Sequence, residues 1–178
     1  MTTFEPGPMR EATATRADDG RWTLEFVRDL NHPPERVWAA LTDPAQLAEW
    51  APFRAERDLG ELGSTTLAMI DGDLAVDLPA TVLRAEPPTL LEYAWHDDLL
   101  RWELTATPWG TRLTLKHTVV GSEDLPRAAA GWHLCLDVCE RLLDGRPVPP
   151  IRGQAALGHG WQDLHDAYAK ELRGTLGP

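Results

Sequence analysis

The chain has 178 residues, 43% of them hydrophobic, and its 28 acidic and 17 basic residues give a net charge of −11. That length suits one domain with a sizeable core, and the negative charge repels phosphate backbones and anionic lipid surfaces, so we expect neither nucleic acid nor a membrane as a partner. No apolar run approaches the roughly 18 residues of a membrane span, and the polar start lacks the apolar core of a signal peptide, which predicts a soluble cytoplasmic protein.

The N-terminal residues show no periodicity and are rich in Pro, Gly, Thr, Glu and Asp. We therefore expect a flexible arm over residues 1–20 and a single domain over residues 21–178. An alternation of apolar and polar residues begins at Arg21 and predicts a half-buried strand, in which Arg28 is the exception on the apolar face. The apolar positions of this strand are Trp22, Leu24, Phe26 and Leu30.

Two short helices are predicted directly after this strand. A Pro-Pro pair at residues 33 and 34 opens the first, and Asp43 opens the second, with Pro44 behind it and Gln46 at the capping-box position.

Strands and turns are predicted from Arg54 to Val120. Asp71-Gly72 is typical of a tight hairpin turn, and the turns at Asp97-Asp98 and Trp109-Gly110 separate sequential strands, which favours an antiparallel meander. Such a sheet needs a helix on its apolar face. That face is predicted to carry Leu91, Tyr93, Trp95, Leu100, Trp102, Leu104, Leu113, Leu115, His117 and Val119.

The helix that suits this face lies in GWHLCLDVCERLLDG, residues 131–145. At about 100° per residue, Cys135 and Cys139 fall in the middle of its apolar stripe with Trp132 and Leu136, whereas His133 falls on the solvent side with the charged residues. One metal ion cannot bind all three, so we predict no metal site and no cofactor. We expect both cysteines to be buried, with raised thiol pKa values that make them poor nucleophiles.

A final amphipathic helix is predicted in GWQDLHDAYAKELRG, after a Pro- and Gly-rich connector. We expect it to pack along the body or against a second copy, so a homodimer is one prediction. Its apolar face holds Trp161, Leu164, His165, Tyr168 and Leu172.

Four segments resemble a known family in the same order, namely FVRDLNHPPERVWAALTDPAQLAEWAPF, AEPPTLLEYAW, GTRLTLKHT and GWHLCLDVCERLLDG. They are similar to bacterial proteins that resemble the C-terminal domain of the Hsp90 ATPase activator Aha1, within the SRPBCC, or START-like, superfamily. The resemblance covers roughly residues 21 to 172. It implies an α+β helix-grip fold of the START and Bet v 1 type, in which a curved antiparallel sheet wraps a long C-terminal helix and two short helices follow strand one.

Such folds often hold an apolar cavity between the sheet and the long helix. Relatives in the superfamily use it to bind lipids, hormones or polyketides, or to cyclise aromatic polyketides, while the eukaryotic activator docks on a chaperone. This sequence departs from the family where Glu49-Trp50-Ala51-Pro52 replaces two frequent aromatic residues and where Glu92 replaces an aliphatic residue. The eukaryotic activator also has an N-terminal domain that 20 residues cannot replace.

We expect the candidate ligand-binding residues to lie between sheet and helix, although aromatic residues there often only fill a core. His117 is either a buried histidine bonded to Thr105 or a backbone carbonyl, or a polar anchor or general base for a ligand. Arg28 either pairs with an acid such as Asp77 or anchors a ligand carboxylate. We assign no catalytic residue. The ligand-binding candidates are Trp50, Phe53, Met69, Trp95, Trp102, His117, Trp132, Cys135, Leu136 and Cys139.

Three functions follow as hypotheses. The first is binding of a small, mostly hydrophobic molecule, linked to a stress response. The second is a cyclase or dehydratase in which His117 or Arg28 polarises a carbonyl. The third is a co-chaperone-like module that stimulates an Hsp90 ATPase.

Overall fold

The computed structural model describes residues 4–176 and contains an eight-stranded antiparallel sheet with helices packed on it. Two 3-10 helices, Ser122–Asp124 and Gly153–His159, flank the long helix in sequence. The strands are β1 Ala12–Arg16, β2 Trp22–Leu30, β3 Phe53–Ala55, β4 Gly63–Asp71, β5 Leu74–Glu86, β6 Leu90–Trp95, β7 Asp98–Thr107 and β8 Gly110–Val119, and the helices are α1 Pro34–Thr42, α2 Pro44–Trp50, α3 Leu125–Leu143 and α4 Trp161–Leu176.

The strand order in the sheet is β1-β2-β8-β7-β6-β5-β4-β3. The strands from β4 to β8 form the predicted meander, and β2 joins it beside β8. Gly72, with φ of 60°, supplies the left-handed conformation in the β4–β5 turn that other residues adopt only at a steric cost. The predicted strands and hairpins are confirmed, but each of the three turns lies one residue from its predicted position, at Gly72-Asp73, His96-Asp97 and Pro108-Trp109.

Helices α1 and α2 begin where the sequence predicts. Pro stands in the first turn of each, and the side chain of Asp43 caps α2 by accepting a hydrogen bond from the backbone N–H of Ala45 at 3.0 Å.

Residues 4–20 differ from the flexible arm expected over residues 1–20, of which residues 1–3 lie outside the described part of the chain. Residues 12–16 form β1, which pairs antiparallel with β2 and buries Ala12 and Ala14 against the core. The alternation of alanine and threonine in this strand is too weakly apolar to predict a strand from the sequence.

Helix α3 packs along the inner face of the sheet, where the predicted apolar residues of β6, β7 and β8 lie. Cys135 and Cys139 are both buried and free, as expected. The solvent side predicted for His133 is wrong, because His133 is fully buried and Asp137 nearly so. Helix α4 and the N-terminal segment contact these two side chains and so exclude water from this side of α3.

Helix α4 packs on α3 and β1 of the same chain, with Leu164, Tyr168 and Leu172 buried. The curved antiparallel sheet around a long helix, with two short helices between β2 and β3, confirms the α+β helix-grip fold. Within residues 4–176, no helix combines the length and apolar character that crossing a lipid bilayer requires.

Candidate ligand cavity

A cavity of about 600 Å³ lies between α3 and one end of the sheet. Its walls come from the ends of β4, β6, β7 and β8, from the N-terminal half of α3, and from residues 151–157, which belong to the segment joining α3 to α4. We call this segment, residues 144–160, the connector. Trp161 at the start of α4 completes the wall. This volume falls within the range of about 300–1,000 Å³ that is usual for small-molecule sites.

The structure divides the ten candidate residues into two groups of five. One group lines the cavity, and its members are Met69, Trp95, His117, Trp132 and Cys135. The other group is buried in the hydrophobic core outside the cavity lining, and its members are Trp50, Phe53, Trp102, Leu136 and Cys139. The alternation of a strand identifies which side chains face inward, but not which of them meet empty space rather than another side chain.

His117 lies on the cavity wall between two polar partners. Its Nδ1 accepts a hydrogen bond from the indole Nε1–H of Trp132 at 2.9 Å, and its Nε2 lies 2.8 Å from Oδ2 of Asp98. Indole nitrogen is only a donor, so Nδ1 must carry no hydrogen and Nε2 must donate to the carboxylate. Neither of the sequence-based partners, Thr105 or a backbone carbonyl, is used. With both ring nitrogens bonded, His117 has none free to accept a proton from a ligand.

Aromatic rings lead from the core to this cavity wall. Trp102 packs edge to face on Trp50 with centroids 6.1 Å apart, and on Trp132 at 5.3 Å. Their hydrogen-bonding groups are satisfied, since Trp50 donates to the carbonyl of Ala40 at 2.9 Å and Trp102 to the hydroxyl of Tyr93 at 3.2 Å. These contacts hold Trp132 in a fixed orientation at the cavity surface.

Gly131 occupies a position on α3 that faces the cavity. A Cβ added there would meet no neighbouring heavy atom within 4 Å. Glycine inside a helix costs about 0.5–1 kcal/mol relative to alanine, and no positive φ at this position requires it. Alanine at position 131 would stabilise the helix better than glycine does, and its methyl group would enter the cavity. Glycine leaves that space empty.

The connector is fastened to the sheet and to α2. Oδ1 of Asp71, at the end of β4, accepts a hydrogen bond from the backbone N–H of Gln154 at 3.0 Å. Gly153 has a φ of 60°, and a Cβ there would collide with the Asp71 carboxylate, so only glycine suits this contact. Arg152 donates to the carbonyls of Ala51 at 2.8 Å and Ala48 at 3.2 Å, which satisfies the C-terminal end of α2.

Arg28 is on the inner face of β2, as predicted, but it pairs with Asp137 of α3 at 2.5 Å and not with Asp77. Asp77 is an exposed residue of β5. The other oxygen of Asp137 accepts from the backbone N–H of Gly7 at 2.8 Å. Arg28 does not line the cavity, so it is not positioned there as an anchor for a ligand carboxylate.

Burial of Asp137 opposes its negative charge, but the hydrogen bond from His133 and the charge of Arg28 outweigh this and lower its pKa to about 2. His133 also contacts the hydroxyl of Tyr168 at 2.7 Å and the carbonyl of Gly7 at 3.0 Å. This network joins β2, α3, α4 and the N-terminal segment, and it accounts for the buried polar residues that the helical pattern placed in solvent.

Burial raises the pKa of the Cys135 thiol to about 12 and also raises that of Cys139. Both thiols are therefore protonated at neutral pH and unsuited to nucleophilic chemistry. Among residues 4–176, no three His, Cys, Asp or Glu side chains are grouped so that they could hold a metal ion.

Sequence reasoning missed several residues of this region. Asp71 and Asp98 were interpreted as ordinary turn residues, and Gly131, Arg152 and Gly153 were not singled out. The signal for Gly131 was a glycine within a strongly periodic helix, which usually has a packing or functional reason. The partners of the two aspartates are distant in sequence or lie in a connector without periodicity, so no local pattern identifies them.

Comparison with known proteins supplies a family. The model of the family described as "Activator of Hsp90 ATPase homolog 1-like protein" matches residues 31–144, which is more than half of the chain. The chain belongs to this family. The resemblance seen in the sequence is thereby confirmed. No significant match was found among curated proteins.

Solved structures share the fold of this Activator of Hsp90 ATPase homolog 1-like chain. The solution structure of CalU16 from Micromonospora echinospora is 19% identical, with a TM-score of 0.71, and the match covers 98% of this chain and 100% of that one. Protein MLL2253 from Mesorhizobium loti is 28% identical, with a TM-score of 0.58 and coverage of 71% and 99%. An AHSA1-like protein from Aeromonas hydrophila is 24% identical, with a TM-score of 0.59 and coverage of 69% and 92%.

The family match and the cavity overlap only in part. Residues 31–144 include the sheet walls and α3 of this family member, whereas Arg152, Gly153 and Trp161 lie beyond the matched region. The part of the cavity wall that the connector and α4 form therefore lies outside the residues that the family model matches.

Proposed function

We propose that this member of the Activator of Hsp90 ATPase homolog 1-like family binds a small, mostly apolar molecule in the cavity between α3 and the sheet. The observation that carries the proposal is Gly131, a glycine inside a long helix that opens onto the cavity. Alanine or leucine at this position would stabilise the helix and fill part of the cavity. Glycine therefore lowers the stability of the fold but keeps this part of the cavity empty.

The cavity lining suits an apolar ligand. The rings of Trp95, Trp132 and Trp161 offer large apolar surfaces, and Val119, Leu134 and Ile151 add aliphatic ones. Polar side chains interrupt this surface at seven positions, namely Asp71, Asp98, His117, Asp124, Arg127, Arg152 and Gln154. A mostly apolar wall with a small number of polar groups is the usual composition of a ligand site, in which the polar groups set the ligand's orientation.

Catalysis of the cyclase or dehydratase kind is less well supported. His117 has both ring nitrogens occupied, and Arg28 is committed to Asp137 outside the cavity. Neither side chain is therefore free to polarise the carbonyl of a ligand.

The proposal is tested by titrating the protein with N-phenyl-naphthylamine, an uncharged apolar dye whose fluorescence rises in apolar surroundings. Wild-type protein is expected to bind it, and Gly131→Leu, which fills the cavity, is expected to reduce the affinity at least about tenfold. Gly158→Leu is the matched control, because Gly158 is exposed, lies outside the cavity lining and has open space around it. Equal binding by wild type and Gly131→Leu would contradict the proposal.

A further inference from the structure

Within the described residues, the other charged side chains that line the cavity each form an ion pair or accept a hydrogen bond from an N–H group, whereas Arg152 forms no ion pair. Asp98 accepts from His117, Asp71 accepts from the backbone N–H of Gln154, and Asp124 pairs with Arg127 at 3.2 Å. Arg152 instead donates to two neutral carbonyl oxygens and forms no ion pair with a described carboxylate.

A guanidinium has five N–H donors, and the two bonds of Arg152 use two of them. The side chain is half-buried on the cavity wall. These bonds to Ala48 and Ala51 hold it against the end of α2, so the cost of ordering a long flexible side chain is already met before a ligand arrives.

The surroundings of Arg152 disfavour its positive charge. Burial is the main cause of a lowered pKa, and the like charge of Arg54 is the next. The charge of Glu49 opposes these two causes without cancelling them, and an anion placed beside Arg152 would further stabilise its positive charge. The net charge of −11 opposes the approach of anions, but charges farther than about 10 Å are largely screened at 0.1 M salt. The three carboxylates of the lining, Asp71, Asp98 and Asp124, each already bond to an N–H group or an arginine.

We propose that the ligand of this cavity is an apolar molecule that ends in a carboxylate, and that Arg152 binds this carboxylate while the tryptophan-lined part of the cavity holds the apolar body. This inference rests on the proposed function and names the chemical class of its ligand. Paired N–H donors of arginine match the two oxygens of a carboxylate, which makes the contact directional as well as charged.

Two pairs of probes isolate the carboxylate. Decanoate and decanol share an aliphatic chain, while naphthoate and naphthylmethanol share an aromatic ring system; within each pair the acid carries the carboxylate and the alcohol does not. Each is used to displace N-phenyl-naphthylamine from the protein. In wild type, the acid of at least one pair is expected to compete about tenfold better than its alcohol, the typical scale for one charge-assisted hydrogen-bonded contact.

Arg152→Gln is expected to abolish this preference for the acid, and because each acid is compared with its alcohol on the same protein, a change in dye affinity caused by loss of the bonds to Ala48 and Ala51 does not affect this comparison. Arg152→Lys is expected to restore part of it, because the charge returns without the planar fork. Arg127→Gln is the matched control, because Arg127 lines the same cavity but is exposed and already paired with Asp124. It is expected to behave as wild type.

The outcomes separate the two claims. Binding of the dye with no preference for either acid, or a preference that persists in Arg152→Gln, would overturn the role of Arg152 and leave the ligand cavity standing. Failure of wild type to bind the dye, in protein whose cooperative thermal unfolding shows that it is folded, would overturn the proposed function and this inference together.

Discussion

The indole N–H of Trp132 donates to Nδ1 of His117 at 2.9 Å, and this bond determines which nitrogen of the histidine carries its hydrogen. Asp98 accepts from the other nitrogen at 2.8 Å. Trp132 on α3 and Asp98 on β7 thus fix the orientation of the His117 ring in the cavity wall and leave neither of its nitrogens free to act as a general base.

The first prediction concerns this tautomer. Nitrogen NMR of the folded protein is expected to show His117 with hydrogen on Nε2 and none on Nδ1 near neutral pH, because Trp132 can only donate. Trp132→Phe is expected to change the Nδ1 signal, since that nitrogen loses its donor. Trp95→Phe serves as control, because Trp95 lines the same cavity and its indole N–H forms no hydrogen bond to His117. A neutral ring with hydrogen on Nδ1 in wild type would refute the assignment.

Gly131 is predicted to lower the stability of the folded protein because it leaves part of the cavity empty. Gly131→Ala is expected to raise the free energy of unfolding by about 0.5–1 kcal/mol, because alanine favours the helix and its methyl group meets no neighbour within 4 Å. Urea denaturation measures the change. Gly110→Ala provides the contrast, because a Cβ there would collide with the carbonyl of Leu30, and it should lower stability. A destabilised Gly131→Ala protein would mean that the cavity is not empty at this point.

The third prediction concerns acid. The pKa of Asp137 is lowered to about 2 in the folded protein from an ordinary value of 3.8, so its contribution is present above pH 4 and is lost as the pH falls towards 2. The stability lost from this group is roughly 2 kcal/mol. The groups that face Asp137 are Arg28 on β2, His133 on α3 and Tyr168 on α4. Unfolding free energies measured across this pH range test the sign.

Variants connect this acid sensitivity to the buried pair. Arg28→Met combined with Asp137→Asn removes both charges together and is expected to fold with a weaker dependence on acid, because no unpaired buried charge remains. Asp163→Asn removes an exposed carboxylate of α4 and should retain the wild-type dependence. An unchanged pH profile in the double variant would show that other carboxylates cause the loss.

The fourth prediction concerns the contact between Asp71 and the connector. Gly153→Ala is expected to displace the Asp71 carboxylate and break its hydrogen bond to Gln154, because the added Cβ collides with that carboxylate and the φ of 60° disfavours alanine. Amide hydrogen exchange within residues 153–159 should accelerate, and the neutral dye should leave the cavity faster. Gly158→Ala, in the same 3-10 helix but in open space, should leave both rates as in wild type. Unchanged exchange in Gly153→Ala would show that this contact does not hold the connector.

Local periodicity predicted most of the fold. The alternation of β6, β7 and β8 identified the inner face of the sheet, and the apolar stripe of α3 placed both cysteines in the core. Both predictions succeeded because the side-chain periodicity of a strand or a helix shows, within a few residues, which side chains are buried and which are exposed. His133 and Asp137 escaped the same reasoning. A helical wheel assumes one solvent side, whereas α3 is covered on that side by α4 and the N-terminal segment.

The candidate site was predicted less completely, for a related reason. His117 was expected to face inward and does, but its partners Asp98 and Trp132 depend on how two strands and a helix meet. Arg28 was expected to pair with an acid and does, although with Asp137 from α3 and not with Asp77. Arg152 reaches the cavity through a connector without periodicity, and its position follows from its bonds to the end of α2, which no local pattern encodes.

The central claim is that the space in front of Gly131 holds a small molecule in the cell. Native mass spectrometry of the protein purified from its own host tests this most directly, with Gly131→Leu expressed and purified in the same way. We expect wild type to retain a small-molecule adduct that is released on denaturation and that Gly131→Leu lacks. An adduct of the same mass and abundance on both proteins would contradict the claim, as would wild type that carries none even when purified rapidly without detergent or organic solvent.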